Sequence, residues 1–484
     1  MNKSIRNVAV FAFVLVVILL ANLTWIQGFQ ASTYAENDLN SRQYFKQKSI
    51  PRGQITAGGQ VLAHSTADDD GLYSRSYPED AAAYGAVLGY LSDQYGASGI
   101  EASQNSILDG TDDSLFATRA WDTLTGKEQR GANVDLTLQP NVQHVAYDEL
   151  SSRGYSGSVV ALRPSTGEVL AMASTPGFDP VAVTNPDSEA ATEAFQSLQN
   201  DPNAPLLNRS TQQTQPPGST FKLITTAAAL EAGDTGDTLV NGESQITLPG
   251  TETTLENYGG ASCGGPQVPL STAFARSCNT SFVDLATRHG EEAFRDTADA
   301  FGIGAEDDDD FGLPIQNSTI GDIPDDAALG QSAIGQRDVA LTPLQNAVIA
   351  ATIANDGVRM KPHLIKQLTG ADLNVIDETR PKEAGRAVSS EVASQLTELM
   401  RGSESFGGGA DNIASKTGTA EHGEDSRNSN PHAWYVAFGP SEDADVAVAV
   451  LVENGGDAGQ AATGGSVAAP IGRAVINAAI QEAS

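Results

Sequence analysis

The sequence predicts an α+β protein whose main domain is an antiparallel sheet flanked by helices. Two short apolar runs around a Pro/Gly turn, residues 157–162 and 168–173, indicate a hairpin. Another pair of strand candidates, residues 433–438 and 446–452, lies near the C-terminus, with helical stretches between the two pairs. The strand–helix–strand rhythm of a parallel sheet is missing, so we do not expect a doubly wound fold.

The remaining elements divide the chain after its N-terminus into two parts. Residues 29–135 are rich in Gly, Asp, Ser and Tyr with short apolar stretches, which predicts a small irregular non-catalytic module. Residues 136–484 form the main domain. An alternating stretch at 133–138 indicates a strand at their junction. The predicted helices of the main domain are 142–150, 221–232, 281–289, 344–355, 390–400 and 468–483.

A single long apolar segment occupies the N-terminus. No charged residue occurs from Asn7 to Ala35, and residues 8–28 are enough to cross ~30 Å of hydrocarbon as one helix. Lys3 and Arg6 indicate that residues 1–7 are a cytoplasmic tail, because cationic flanks stay inside. We therefore expect a single-pass anchor at the cell membrane and an extracytoplasmic main domain, with a cleaved signal peptide as the alternative.

Composition excludes several classes of protein. The chain has 484 residues, with 28 Lys plus Arg against 61 Asp plus Glu, and a net charge of −33. Nucleic acid is excluded as a partner, because phosphate binding needs clustered cations. A hydrophobic fraction of 40% allows a sizeable core. Two cysteines are too few for a zinc cluster, and we expect neither a metal nor a cofactor.

A serine and a lysine one helical turn apart form the first candidate site. The Pro-Pro-Gly turn at 216–218 is followed by Ser219 and then by Lys222 at the start of a helical run. Residues three apart lie on one helix face, so the amine is within reach of the hydroxyl. A serine hydroxyl needs such a base, and burial beside positive groups lowers the pKa of a lysine enough to provide one.

Ser277-Cys278-Asn279 opens another helical stretch and is the second candidate segment. The Ser277 hydroxyl can relay a proton. The Asn279 amide both donates and accepts hydrogen bonds, which suits holding a peptide backbone or the lysine.

Lys416-Thr417-Gly418-Thr419 is the third segment and precedes the C-terminal strand pair. Gly418 lets a substrate backbone approach the strand closely. Thr417 and Thr419 can bind a carboxylate, and Lys416 supplies positive charge beside it. Each of the three segments is unremarkable alone, and their combination in this order is what indicates a nucleophilic serine site.

The three segments match the Ser-x-x-Lys, Ser-x-Asn and Lys-Thr-Gly motifs of serine β-lactamases and penicillin-binding proteins. The chain resembles class B penicillin-binding proteins, which are peptidoglycan D,D-transpeptidases, and within them the actinobacterial penicillin-binding protein A group. Cys278 stands where β-lactamases commonly have Asp. Other stretches similar to the family are 21–27, 52–55, 99–101, 166–172, 335–336, 342–345 and 416–421.

The resemblance implies a role for each motif residue. Ser219 attacks the carbonyl between the last two D-alanines of a stem peptide, with Lys222 as base. Ser277 and Lys416 relay the proton to the departing D-alanine. The backbone N–H groups of Ser219 and Thr419 form the oxyanion hole. The substrate-binding residues are Asn279, Thr417, Gly418 and Thr419.

The resemblance also implies partners. A stem peptide ending in D-Ala-D-Ala is the donor, an amine of a neighbouring strand is the acceptor, and β-lactams acylate the serine. The stretch between anchor and main domain, about 100 residues, is too short for a glycosyltransferase domain. A polytopic membrane glycosyltransferase in a wall-synthesis complex would supply the glycan.

Other functions share these motifs. A D,D-carboxypeptidase would transfer the acyl group to water, and a membrane-tethered β-lactamase would hydrolyse its acyl-enzyme quickly. The Glu-x-x-Asn segment that activates water in class A β-lactamases is missing between residues 280 and 415. A catalytically dead scaffold would not need all three motifs intact.

Cys263 and Cys278 are 15 residues apart in the part of the chain that we expect to be exported. An oxidising compartment favours a disulfide between them, which would also restrain the turn that carries Ser277. The alternative is two buried thiols.

Overall fold

The computed structural model describes residues 3–29, 48–305, 311–422 and 429–483. Part of the expected tail at 1–7 and most of the segment after the anchor lie outside these residues. Helix α1 spans Lys3–Phe29. Its segment Ile5–Ile26 has a mean hydropathy of 2.6 and no part of it is buried. By length and composition α1 can therefore serve as a membrane anchor.

The N-terminal module consists of short elements. Its strands are β1 (Ile55–Ala57), β2 (Gln60–Ala67), β3 (Tyr73–Ser76), β4 (Leu91–Ser92), β5 (Gly96–Ala97) and β6 (Asn133–Leu136). Its helices are α2 (Gly85–Leu88), α3 (Gly99–Ser103), α4 (Asn105–Leu108) and α5 (Phe116–Thr125).

The main domain carries the longer elements. Its helices are α6 (Pro140–Ser151), α7 (Pro180–Val183), α8 (Ser188–Asn200), α9 (Arg209–Gln212), α10 (Lys222–Glu231), α11 (Leu270–Arg276), α12 (Asn279–Ala300), α13 (Asp326–Ser332), α14 (Pro343–Ala354), α15 (Ser390–Phe406) and α16 (Ala469–Ala483). Its strands are β7 (Gly157–Leu162), β8 (Val169–Thr175), β9 (Leu239–Asn241), β10 (Gln245–Thr247), β11 (Thr254–Glu256), β12 (Gln267–Pro269), β13 (Val358–Met360), β14 (Ile365–Thr369), β15 (Val375–Glu378), β16 (Glu383–Arg386), β17 (Ala414–Ala420), β18 (His432–Gly439) and β19 (Val446–Val452).

The central sheet of the main domain has the order β17-β18-β19-β7-β8, and every neighbouring pair is antiparallel. Helix α14 covers one face, and α6 and α16 cover the other. Burial on both faces explains why β18 and β19 read as continuous apolar runs instead of alternating ones. The predicted antiparallel sheet with flanking helices is confirmed.

A second sheet joins the module to the main domain. Its order is β15-β14-β6-β1-β2-β3, so its first two strands come from far downstream in the chain. Strand β6 pairs with β1 in parallel and with β14 antiparallel. The expected boundary between residues 135 and 136 falls inside β6. The module therefore packs as a continuation of the main domain.

A buried carboxylate holds the module together. The side chain of Glu101 is fully buried and forms ion pairs with Arg52 and Arg75. Arg75 also donates to the backbone carbonyl of Gly53 at 2.7 Å. The two family-like stretches at 52–55 and 99–101 thus meet through one charge cluster, since an unpaired carboxylate could not remain buried there.

The structure joins Cys263 and Cys278 in a disulfide, as the sequence predicts, with their Cα atoms 6.1 Å apart. Cys263 also donates its N–H to the carbonyl of Gly242 at 2.8 Å. The bond therefore ties the loop before β12 to the start of α12.

Replacing both Cys263 and Cys278 with Ser should lower the free energy of unfolding by about 3 kcal/mol, because the closed loop spans 15 residues. Urea unfolding of the variant beside the wild type measures the difference. Thiol titration of the denatured wild type should find two reactive groups only after reduction. Two reactive thiols before reduction would contradict the disulfide.

Candidate active site

Ser219 lies in a tight turn that leads into α10. The chain forms a 3₁₀ turn over Gly218–Phe221 and becomes α-helical at Lys222, so the predicted helix start at 221 is one residue early. Gly218 has φ +55°, and a Cβ there would come 2.7 Å from the carbonyl oxygen of Thr419. The glycine is needed because the turn passes directly against β17.

Lys222 is fully buried and its amine has three oxygen partners. Nζ donates to Asn279 Oδ1 at 2.8 Å, to the Ser277 carbonyl at 2.8 Å and to Ser277 Oγ at 3.2 Å. Burial lowers the pKa of Lys222 well below its usual range, and the positive charge of Lys416 lowers it further. The neutral amine, which can accept a proton, is thereby favoured.

Ser277 occupies a strained link between two helices. Helix α11 ends at Arg276, and Ser277 has φ 58° and ψ 44°, a left-handed conformation that costs a non-glycine residue about 1 kcal/mol or more. The N–H of Cys278 donates to the carbonyl of Ala273 at 3.0 Å, which closes the turn before α12 begins. In this conformation the Ser277 hydroxyl lies within hydrogen-bond distance of both Lys222 and Lys416.

Asn279 is held in one orientation by partners on both sides. Its Oδ1 accepts from Lys222, and its Nδ2 donates to the carbonyl of Glu256 at 3.0 Å. The neighbouring Asn257 accepts a hydrogen bond from the N–H of Thr280 at 3.0 Å, which caps the first turn of α12. The contact with Glu256 uses its backbone, so no side-chain pattern in the sequence could have indicated it.

Lys416 reaches the same hydroxyl from the strand side. It is fully buried in β17, and its Nζ donates to Ser277 Oγ at 2.9 Å and to the carbonyl of Thr417 at 2.9 Å. Burial lowers its pKa to about 7. Ser277 Oγ is therefore within hydrogen-bond distance of two lysine amines, each of which can exist in a neutral form.

The remaining residues of the third segment line the edge of the sheet. Strand β17 pairs with β18 on one side and ends the sheet on the other. Thr417 and Thr419 are partly exposed there. Gly418 is buried, and a Cβ on it would come 2.8 Å from the Pro217 carbonyl. Gly418 thus allows the nucleophile turn to pack on β17, in addition to the approach of a substrate backbone that the sequence predicts.

Trp434 is a fully buried residue of β18. It lies opposite Gly418 in the β17–β18 register, and its Nε1 donates to the Pro216 carbonyl at 2.9 Å. A Cβ on Gly464 would come 2.1 Å from the Trp434 carbonyl oxygen. Trp434 therefore anchors the Pro-Pro-Gly turn to the sheet.

Comparison with known proteins identifies the family. Residues 157–477 match the penicillin binding protein transpeptidase domain, and residues 52–134 match the penicillin binding protein A dimerisation domain. The chain belongs to the penicillin-binding protein transpeptidase family. All three motifs lie within the residues that match the transpeptidase domain.

The relatives are similar over the full length. The chain is 50% identical to the peptidoglycan D,D-transpeptidase PbpA of Mycolicibacterium smegmatis over 100% of both chains. It is 49% identical to PbpA of Mycobacterium tuberculosis H37Rv over 99% of both. The resemblance to actinobacterial penicillin-binding protein A is confirmed.

Solved structures of penicillin-binding protein A from M. tuberculosis have the same fold. Its ceftriaxone acyl-enzyme matches with a TM-score of 0.87 and 49% identity, covering 90% of this chain and 100% of that one. Its penicillin G acyl-enzyme matches with a TM-score of 0.86 and 50% identity over the same shares.

Replacing Ser277 with Gly should separate the role of the hydroxyl from that of the backbone. Glycine tolerates φ 58°, so the melting temperature should stay within a few degrees of the wild type. Loss of the hydroxyl between Lys222 and Lys416 should slow acylation by a fluorescent penicillin by about 10²-fold or more. Stopped-flow fluorescence and thermal denaturation measure the two effects.

Ser277→Ala is the matched control. It also removes the hydroxyl but keeps a Cβ in the left-handed region, so it should acylate as slowly as Ser277→Gly and not exceed it in stability. Acylation of Ser277→Gly at the wild-type rate would show that the hydroxyl takes no part.

Proposed function

We propose that this protein is a peptidoglycan D,D-transpeptidase in which Ser219 forms an acyl-enzyme with a stem peptide. The observation that carries the proposal is the placement of one hydroxyl, Ser277 Oγ, 3.2 Å from the amine of Lys222 and 2.9 Å from that of Lys416. Two buried amines and a shared hydroxyl can carry a proton between an attacking serine and a leaving amine.

Acylation begins with the neutral form of Lys222. It takes the proton of Ser219 as Oγ attacks the carbonyl carbon between the last two D-alanines of the donor. Ser277 and Lys416 deliver a proton to the nitrogen of the departing D-alanine as the C–N bond breaks. The buried position of both lysines supports these roles, since burial lowers the pKa of each amine and favours its neutral form.

The edge strand β17 would bind the donor. The N–H groups of Ser219 and Thr419 stabilise the oxyanion, which can lower the barrier by several kcal/mol. Thr417 and Thr419 bind the terminal carboxylate, and Gly418 allows the peptide backbone to approach. The partial exposure of the two threonines at the sheet edge supports this placement.

An amine of a neighbouring strand then attacks the acyl-enzyme, forms the cross-link and frees Ser219. A β-lactam enters the same pathway, but its acyl-enzyme persists. The M. tuberculosis relatives captured as acyl-enzymes with ceftriaxone and penicillin G support this behaviour.

The cellular setting belongs to the same proposal. Residues 8–28 anchor the chain with residues 1–7 in the cytoplasm, and the module at 29–135 and the main domain at 136–484 face the cell wall. A polytopic glycosyltransferase supplies the glycan and meets the protein through the membrane helix. The length and apolar composition of α1 support the anchor.

Labelling with a fluorescent penicillin tests the reaction class. The wild type should form a covalent adduct that survives denaturing electrophoresis, and Ser219→Ala should form none. Loss of the wild-type label within seconds would indicate a β-lactamase. No label at all would refute the assignment of a penicillin-reactive serine.

A donor peptide ending in D-Ala-D-Ala separates transpeptidase from carboxypeptidase. With an added amine acceptor the wild type should yield the amide product as well as D-alanine. Release of D-alanine with hydrolysis alone, at every acceptor concentration, would favour the carboxypeptidase.

The acylation rate should fall as pH is lowered through the folded-state pKa of Lys222. Because that pKa is well below 10.5, the acidic limb should lie well below pH 10.5, and the protonated lysine below it cannot accept the Ser219 proton. Stopped-flow acylation across pH measures the limb. Lys222→Arg, which stays protonated, should remain inactive at every pH. A limb near pH 10 would contradict the role of Lys222 as base.

A further inference from the structure

A buried carboxylate that the proposed chemistry does not use lies beside the third motif. Glu404 is in the last turn of α15, and its side chain is 1% exposed. Its Oε2 accepts hydrogen bonds from the hydroxyl of Ser415 and from the hydroxyl of Tyr435, the latter at 3.0 Å. Its Oε1 accepts from Arg473 Nε at 2.7 Å. One side chain therefore connects α15 with β17, β18 and α16.

Two of these partners flank the residues that face the substrate. Ser415 immediately precedes Lys416 on β17, and Tyr435 lies opposite Thr417 in the β17–β18 register. Strand β17 has a strand partner on one side only, so the central sheet restrains it less than an inner strand. Hydrogen bonds at these two residues hold the edge strand in place next to Lys416.

The same helical turn also reaches the second motif. The ring of Phe406, two residues after Glu404, lies 5.8 Å from the guanidinium carbon of Arg276. Arg276 immediately precedes Ser277. The last turn of α15 is thus in contact with the residue before Ser277 and with the residue before Lys416.

The chain closes over the carboxylate as it runs from α15 to β17. A Cβ on Gly409 would come 1.8 Å from Glu404 Oε1 and 2.5 Å from Arg473 Nη2. Little room for water remains, so the hydrogen bonds of Glu404 are strong and directional. A buried ion pair is often no more stabilising than apolar packing, and the specific advantage of this one is the direction it imposes.

We propose that Glu404 is a positioning residue for the transpeptidase reaction, which sets the contact between Lys416 Nζ and Ser277 Oγ by holding Ser415 and Tyr435. The inference rests on the proposed function. Glu404 makes no contact with the substrate in this proposal, and it acts on the reaction through the position of β17.

Three variants test the proposal at increasing cost to the fold. Ser415→Ala removes one hydroxyl that binds the carboxylate, and Glu404→Ala removes the whole tether. The second-order rate of acylation by a fluorescent penicillin should fall about tenfold or more in Ser415→Ala and Glu404→Ala, because displacements of ångström size cost up to 10²-fold. Glu404→Gln keeps an acceptor of the same shape and should recover part of the rate.

The pH profile gives a readout that a loss of stability would not change. The charge of Lys416 contributes to the low pKa of Lys222. Moving Lys416 away from Ser277 weakens that repulsion and raises the pKa of Lys222. The acidic limb of the acylation profile should therefore shift to higher pH in Ser415→Ala and Glu404→Ala.

Glu101→Gln is the matched control, since Glu101 is an equally buried carboxylate paired with arginines, in the module. It should lower the melting temperature and leave the acylation profile in place. An unchanged acylation rate and an unchanged acidic limb of the pH profile in both Ser415→Ala and Glu404→Ala would overturn the positioning role. Failure of the wild type to label would instead refute the proposed function, so the two failures are distinguishable.

Discussion

The active site depends on keeping two lysine amines out of water beside a single hydroxyl. Lys222 and Lys416 are both fully buried, and both donate to Ser277 Oγ. Burial of a charged amine is costly. It therefore lowers the pKa of both lysines and favours their neutral forms. The surrounding structure must supply the oxygen partners that make this burial tolerable, and it does so from Ser277, Asn279 and Thr417.

That requirement explains the close backbone contacts around the site. The nucleophile turn is packed between β17 and the loop at Gly335. A Cβ added to Gly335 would come 2.2 Å from the Gly218 carbonyl oxygen. Gly418 and Gly464 allow equally close approach on the sheet side. Any side chain at these positions would push the turn away from the strand. The glycines therefore set the distance between Ser219 and the edge of the sheet.

Much of this arrangement follows from local patterns in the sequence. The strands at 433–438 and 446–452 are apolar throughout, and the lysines and Ser277 lie in short motifs with recognisable spacing. The tether of Glu404 was not predictable in the same way, because its partners lie 11, 31 and 69 residues further along the chain, with no fixed spacing, and each residue is ordinary alone. The second sheet was missed for a related reason, since β14 joins β6 across more than 200 residues of chain. Long-range pairings leave no periodic signal in either segment.

Hydrogen bonds also connect the two sheets. Thr137, the residue after β6, donates its N–H to the Leu364 carbonyl at 2.8 Å and its hydroxyl to the Val169 carbonyl at 2.8 Å. Val169 begins β8 of the central sheet. The segment that follows β6 is thus hydrogen-bonded to β8, the strand at the far end of the sheet from β17. The edge strand that carries Lys416 lies on the opposite side of the sheet, where Ser415 donates a hydrogen bond to Glu404 of α15.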